Sequence, residues 1–301
     1  MQKGKTDVNQ SIMDKNLSAE IFSEPVVAQE LERMWRERRE QVAEIARQMA
    51  DRKPTALFFF GSGGSAAALY SGYYAALRYL KLPSLYVISP EIVSAQPALL
   101  NDKAVAIGAS YSGKTMDTLA ARDFLRQRRV ALLAITRKAE GELGREAEWH
   151  LTYDSVALYS SPAFLTMLLV VELCRASGEW SAEVDELERA LEDLPRLIRS
   201  IAEASHTLAV RLASEVNGKL VILSGGGTYA LGHMMAFDMF GEYLKQYCAF
   251  IHYGEFRHGP LEVVGKGEPT MMFLMGNDRS RKFAHSALKF GQQHGARTIV
   301  F

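Results

Sequence analysis

Hydrophobic and polar positions change their period several times along the chain, and each change marks an element. Leu31, Met34, Val42, Ile45 and Met49 recur at helical spacing with Arg and Glu between them, so residues 20–52 are predicted as mainly helix, stopped by Lys53-Pro54. Residues 55–60 form a short apolar run that ends in Gly61-Ser62-Gly63-Gly64-Ser65 and is followed by a helical stretch, 66–80. Strands are predicted at 84–89, 104–109 and 131–136, the second leading through Ser110-Tyr111-Ser112-Gly113-Lys114-Thr115 into a helix that reaches Arg128. Residues 149–154 do not qualify as an apolar strand, because His150 and Thr152 interrupt them. Strands alternating with helices predict an α/β fold with a parallel sheet covered on both faces, a doubly wound, three-layer αβα unit.

Farther on, residues 160–177 read as a buried helix. Residues 183–212 form a long amphipathic stretch with Leu187, Leu191, Leu194, Leu197 and Ile201 on one face, in which Pro195 is expected to kink or divide the helix. The first pattern then restarts: a strand at 220–223, the turn Ser224-Gly225-Gly226-Gly227-Thr228, a helix at 229–245 and a strand at 248–252. A shift of 163 residues places Ser65 on Thr228, with a glycine pair before each. One residue more places Pro90-Glu91-Ile92 on Gly254-Glu255-Phe256. Repetition at this period predicts two copies of one α/β unit. The expected division is a polar leader at 1–19, a first unit with its N-terminal helix at 20–180, and a connecting helix with the second unit at 181–301.

Composition narrows the function classes. Hydrophobic residues make up 48% and charged residues 23%, an ordinary globular balance. Thirty-five basic residues offset 35 acidic ones, so no global field draws in nucleic acid or an anionic membrane surface. Apolar runs such as 167–171 are too short to span a bilayer, and the polar N-terminus carries no secretory stretch. Cys174 and Cys248, both in apolar surroundings, form neither a disulfide framework nor a metal cluster. A cytoplasmic protein without metal or organic cofactor is expected.

Gly108 to Thr115 fits the G-x-x-x-x-G-K-T phosphate-loop pattern between a strand and a helix, but no second strand ends in a magnesium-binding Asp, so triphosphate chemistry is disfavoured. Gly61 to Ala66 satisfies a loose dinucleotide fingerprint, yet Glu91 follows Gly61 by 30 residues, later than a ribose-binding acid. Ser110, Ser112 and Thr115 place three hydroxyls beside free amides at a helix N-terminus, which suits a sugar monophosphate; capping alone needs only one. Glu242 lies on the 229–245 helix, one turn after Asp238, and His258 lies in a loop bracketed by Gly and Pro.

The run Gly254-Glu-Phe-Arg-His-Gly-Pro-Leu-Glu-Val-Val264, with Phe273-Leu-Met-Gly-Asn-Asp278 after it, resembles the sugar isomerase (SIS) family, and within it the fructosamine-6-phosphate deglycases. The resemblance runs from about Phe22 onward and includes the Gly63-Gly64-Ser65 turn and the Ser110-x-Ser112-Gly-x-Thr115 loop. It implies a catalytic glutamate 16 residues before the signature histidine, which is Glu242 before His258. It also implies phosphate binding by Ser65, Ser110, Ser112 and Thr115, with Gly64, Tyr111 and Glu255 in supporting places. Tyr111 stands where the synthase branch has glutamine, which argues against that branch. Family members are homodimers or higher oligomers with sites at subunit junctions, and they continue beyond a point equivalent to Phe301 with a tail that helps close the site. The implied activity cleaves a fructosamine 6-phosphate conjugate of an amino acid to glucose 6-phosphate and the free amino acid. An aldose–ketose phosphosugar isomerase and a phosphosugar-binding sensor are the alternatives.

Overall fold

The computed structural model describes residues 23–153, 155–216, 219–264 and 269–301; the leader expected at 1–19 lies outside the described residues. The chain enters through α1 (Glu24–Glu37) and α2 (Arg39–Asp51), separated at Arg38, so the single helix expected over 20–52 is two. It then runs β1 (Ala56–Gly61), α3 (Gly63–Tyr79), β2 (Ser84–Ile88), α4 (Ser89–Ala95), β3 (Ala104–Ser110), α5 (Met116–Gln127), β4 (Ala131–Thr136), α6 (Glu142–Arg145), β5 (Trp149–Thr152) and α7 (Ser160–Ala176). The five strands are all parallel, in the order β2-β1-β3-β4-β5.

Burial on both faces explains why β1, β3 and β4 read as unbroken apolar runs. Leu57, Phe59, Ile107, Leu133 and Ile135 face a core shared with α1, α2, α3 and α7. Phe58, Phe60, Ala106, Leu132 and Ala134 face a second core with α4 and α5. At the sheet edge, β5 departs from expectation. Trp149 and Leu151 are buried while His150 and Thr152 are only half-buried, and the strand pairs along β4 regardless. His150 and Thr152 therefore do not break the strand; they are the outer half of an alternation. The His150 ring also meets the Thr136 hydroxyl at 2.7 Å, and burial pushes its proton affinity down.

A single helix, α8 (Ala182–Glu215), carries the chain onward. Pro195 lies inside it and does not divide it, so of the two expected outcomes division does not occur; α8 packs on α1, and Leu187, Leu194 and Ile198, before and after the proline, pack against the first core. The second sheet contains β6 (Leu220–Ser224), β7 (Ala249–His252), β8 (Thr270–Phe273) and β9 (Arg297–Val300), all parallel in the order β7-β6-β8-β9. That order repeats the first four strands of the other sheet. After β6 come the turn Gly226–Thr228 and α9 (Tyr229–Met234). Residues Met235–Tyr243 continue α9 as a π-helical segment, so the helix expected over 229–245 changes its winding halfway. The four-residue α10 (Leu261–Val264) and α11 (Arg281–Gln293) complete the unit. The two units meet where α3 packs on α9, with the Tyr70 and Tyr229 rings 4.6 Å apart between centroids.

Candidate active site

In a sheet ordered 2-1-3-4-5, the connections after β1 and β3 leave in opposite directions, and the crevice between them is where ligands bind. Both hydroxyl-rich turns named from the sequence lie at this crevice, because β1 and β3 are adjacent in register. Ser110, 2% exposed, ends β3. Its hydroxyl meets that of Thr115 at 2.9 Å and accepts from the Gly113 N–H at 3.1 Å. Ser112 is exposed and accepts from the Lys114 N–H at 3.1 Å. Gly113 closes the turn at φ +66°, the left-handed region that glycine favours. Thr115 occupies the N-cap of α5, yet its side chain caps nothing. The capping explanation for these hydroxyls therefore fails at Thr115, and the first-turn amides of α5 remain available to an anion.

Across the crevice, Ser62 is the N-cap of α3, makes no capping bond, and buries its Oγ without a partner. Ser65 is half-buried in the first turn. Gly64 has a specific neighbourhood: a Cβ placed there would lie 2.3 Å from Tyr159 Cε1 and 3.0 Å from Asp238 Oδ2. The absence of a side chain at Gly64 thus lets the second unit's acidic segment approach the first unit's helix N-terminus.

That segment carries Asp238 and Glu242. Its π winding is visible in the Leu244 N–H, which donates to the Met239 carbonyl at 3.0 Å, one residue beyond α-helical reach. Asp238 is 7% exposed, and its Oδ2 has no hydrogen-bond partner. Burial, reinforced by the Glu242 charge, pushes its carboxyl up to about 6. Glu242 itself is exposed. Tyr159 and Tyr243 approach through their hydroxyls at 3.5 Å. Burial raises both phenols, and the charges of Asp238 and Glu242 raise them further. Tyr111, in the Ser110–Thr115 loop, packs against Tyr153 with 6.4 Å between ring centroids. Tyr111 in turn lies under the Arg137 guanidinium, 5.5 Å from its ring centroid.

His258 lies apart from this group. The loop that bears it is anchored by Phe256, 1% exposed, while Glu255 and His258 face outward. The His258 N–H donates to the Glu255 carbonyl at 2.9 Å. Among the described residues, no hydrogen bond or ion pair joins the His258 side chain to Glu242 or to the hydroxyl loops. The single chain thus brings the turns bearing Gly64, Ser65, Ser110, Ser112 and Thr115 to one crevice, sets the segment of Asp238 and Glu242 against it at Gly64, and leaves Glu255 and His258 facing outward from the loop after β7.

Sequence reasoning missed Asp238, Tyr159, Tyr243 and Arg137 as members of this region. Arg137 could have been found, since it directly follows a buried parallel strand at its carboxyl end. Asp238 carried the signal of an acid four residues before the candidate base, but its burial depends on Gly64 and Tyr159, distant in sequence.

The second unit's corresponding crevice is already filled. Asp278, beyond β8, accepts from the Gly227 N–H at 3.0 Å, the Ser280 N–H at 2.8 Å and the Tyr74 hydroxyl at 3.2 Å. Burial opposes its ionisation, but these donors outweigh burial and hold the carboxyl below its ordinary value.

Comparison with known proteins agrees with this architecture. The SIS domain model matches residues 49–176. Fructoselysine 6-phosphate deglycase of Escherichia coli (strain K12) is 27% identical over 292 residues, covering 96% of this chain and 84% of that protein. The fructosamine deglycase of Bacillus subtilis (strain 168) is 24% identical over 251 residues, covering 81% and 76%. Among solved structures, the C-terminal domain of glucosamine-fructose-6-phosphate aminotransferase from Francisella tularensis superposes with a TM-score of 0.79 at 18% identity, covering 95% of this chain and 83% of that one. Glucosamine-6-phosphate deaminase from Thermotoga maritima gives 0.68 at 16% identity, covering 91% and 84%. These structural likenesses concern the fold.

Proposed function

We propose that this chain, which carries a SIS domain, is a deglycase that cleaves a fructosamine 6-phosphate conjugate of an amino acid to glucose 6-phosphate and the free amino acid. The observation that supports it most is the close approach of the segment bearing Asp238 and Glu242 to the N-terminus of α3, where the missing side chain of Gly64 leaves room for Asp238 Oδ2 beside Ser65. On this reading, Ser65, Ser110, Ser112 and Thr115 seat the phosphate, with the helix N-termini of α3 and α5 supplying amides and positive dipole ends. That anchor at C6 presents C1 and C2 to Glu242.

Glu242 takes a proton from C1 of the ketosamine, giving the enolamine, and returns a proton to C2, giving the C1 aldimine. Water then adds to C1, the amine leaves with a proton, and the aldehyde of glucose 6-phosphate remains. His258 assists ring opening by proton transfer at the ring oxygen. Its outward position supports service to the site of a second copy in a homodimer. General acid–base groups of this kind contribute about 10²–10⁴-fold each.

The test is a panel of phosphorylated amino-acid conjugates, with glucose 6-phosphate and free amine both followed by mass spectrometry. Release of both, lowered about 10²–10⁴-fold in Glu242→Gln, is expected. Sugar-phosphate interconversion without amine release would identify an isomerase instead, and binding of phosphosugar without turnover of any conjugate would identify a sensor.

A further inference from the structure

Asp238 is a buried acid that the proposed chemistry does not use. The groups facing it are Glu242 and Tyr243 on its own segment, Tyr159 at the start of α7, and the backbone of Gly64 in the first turn of α3. Among the described residues, the one charge that shifts it is another negative one, Glu242. Its Oδ2 is aimed at the α3 N-terminus but forms no hydrogen bond there. The positive end of α3 favours the ionised form, but without a hydrogen bond there it does not offset burial and the Glu242 charge. A helix N-terminus with an unpartnered buried acid aimed into it is also where a phosphate dianion is expected to dock, next to Ser65. Docking would add a second negative neighbour in a site of low dielectric, and protonation of Asp238 is the least costly response.

We infer that Asp238 holds a proton for this site: it takes one up as a phosphosugar docks at the first turn of α3, leaving Glu242 as the ionised carboxylate beside the substrate. Asp238 is therefore a positioning residue, acting through the charge state of its neighbour. The inference rests on the proposed phosphate seat. It adds a proton coupling that the reaction does not require.

Calorimetric titration of the purified protein with sorbitol 6-phosphate, an unreactive polyol phosphate, tests it. The titrations are run at several values between about pH 5 and 8, with the largest uptake expected near 6.5, in buffers of differing ionisation enthalpy, which reports protons taken up per site. A tenfold rise in the proton affinity of Asp238 on docking corresponds to uptake of roughly half a proton. Asp238→Asn is expected to bind and to lose that increment. Glu242→Gln provides a second reading should Asp238→Asn fold poorly. By relieving the repulsion, it is expected to move the uptake to lower pH. Identical uptake in wild type and Asp238→Asn, or an unmoved midpoint in Glu242→Gln, overturns the inference while leaving the phosphate seat intact. No binding heat in any of the proteins removes the seat and the inference together.

Discussion

Replacing Asp238 with asparagine is expected to shift stability in favour of the variant as the pH rises from acid to neutral. The side chain is 7% exposed, its Oδ2 has no partner, and Glu242 lies one turn away. Burial first and that charge second raise its carboxyl from the ordinary 3.8 to about 6 in the folded chain. Below about pH 4 the group is neutral whether folded or unfolded and costs nothing. Between about pH 4 and 6 only the unfolded chain releases the proton, so folding carries a penalty that grows with pH. Above about 6 the penalty is complete. Each pH unit in that window is worth about 1.4 kcal/mol, so the full penalty is roughly 2–3 kcal/mol.

Asparagine keeps the shape and removes the ionisation. Its buried amide has its own cost, but that cost does not vary with pH, so the informative quantity is the gap between the two proteins as pH changes. The gap should move in favour of the variant by about 2 kcal/mol between about pH 4.5 and 7.5. Urea unfolding followed by tryptophan fluorescence, with both proteins at one fixed concentration so that any self-association weighs equally on each, measures it. A gap that stays flat across this range would refute the reasoning, since it would mean that the carboxyl ionises as easily inside the fold as outside.

The remaining expectations concern the turns and the thiols. Gly113→Ala forces a side chain onto a residue at φ +66° and places its Cβ 2.7 Å from the Gly141 backbone, so it should cost about 1–3 kcal/mol and weaken phosphosugar binding at least severalfold, read by thermal melting and calorimetry. Asp278→Ala strips the acceptor from Gly227, Ser280 and Tyr74 and should cost about 1–3 kcal/mol in a urea melt, while the isosteric Asp278→Asn costs less. Burial pushes the Cys174 thiol up to about 11, so Ellman's reagent near pH 8 should leave it unlabelled until urea is added.

How much of this was legible in the sequence follows from which residues are buried on both faces. β1, β3, β4 and β6 are apolar at every position or nearly so, and such strands announce themselves. β5 hides because an edge strand keeps half its positions for solvent and for His150. Pro195 does not divide α8 because the cost of one missing hydrogen bond is local, whereas Leu187, Leu194 and Ile198 on either side of it pack against the core. Ser110, Ser112 and Thr115 could be named because the chemistry lies in contiguous residues. Tyr159 and Asp238 could not, because what makes them members of the site is the Cβ missing at Gly64, a contact between residues far apart in sequence. The π winding that carries Asp238 and Glu242 leaves no mark in the hydrophobic period either, since the segment Met235–Tyr243 is short and mixed.

The two units share a strand order but differ in what fills the crevice between the turns after the first and third strands. In the first unit that space is bordered by Ser62, whose Oγ has no partner, and by Thr115, whose side chain leaves its helix uncapped. In the second unit the loop after β8 fills it with Asp278, bound to the glycine turn that begins α9. A phosphate could enter there only by displacing a carboxylate that already holds those donors. On the proposed reading, the duplication therefore supplies one phosphate seat, not two. The occupied crevice has a different consequence: by fixing the Gly225–Thr228 turn against Leu274 and against Tyr74 of the first unit, it fixes the start of the helix whose far end carries Asp238 and Glu242. On that reading one unit holds the sugar and the other the acids, and Asp278, outside the seat, braces the start of the helix that leads to Glu242.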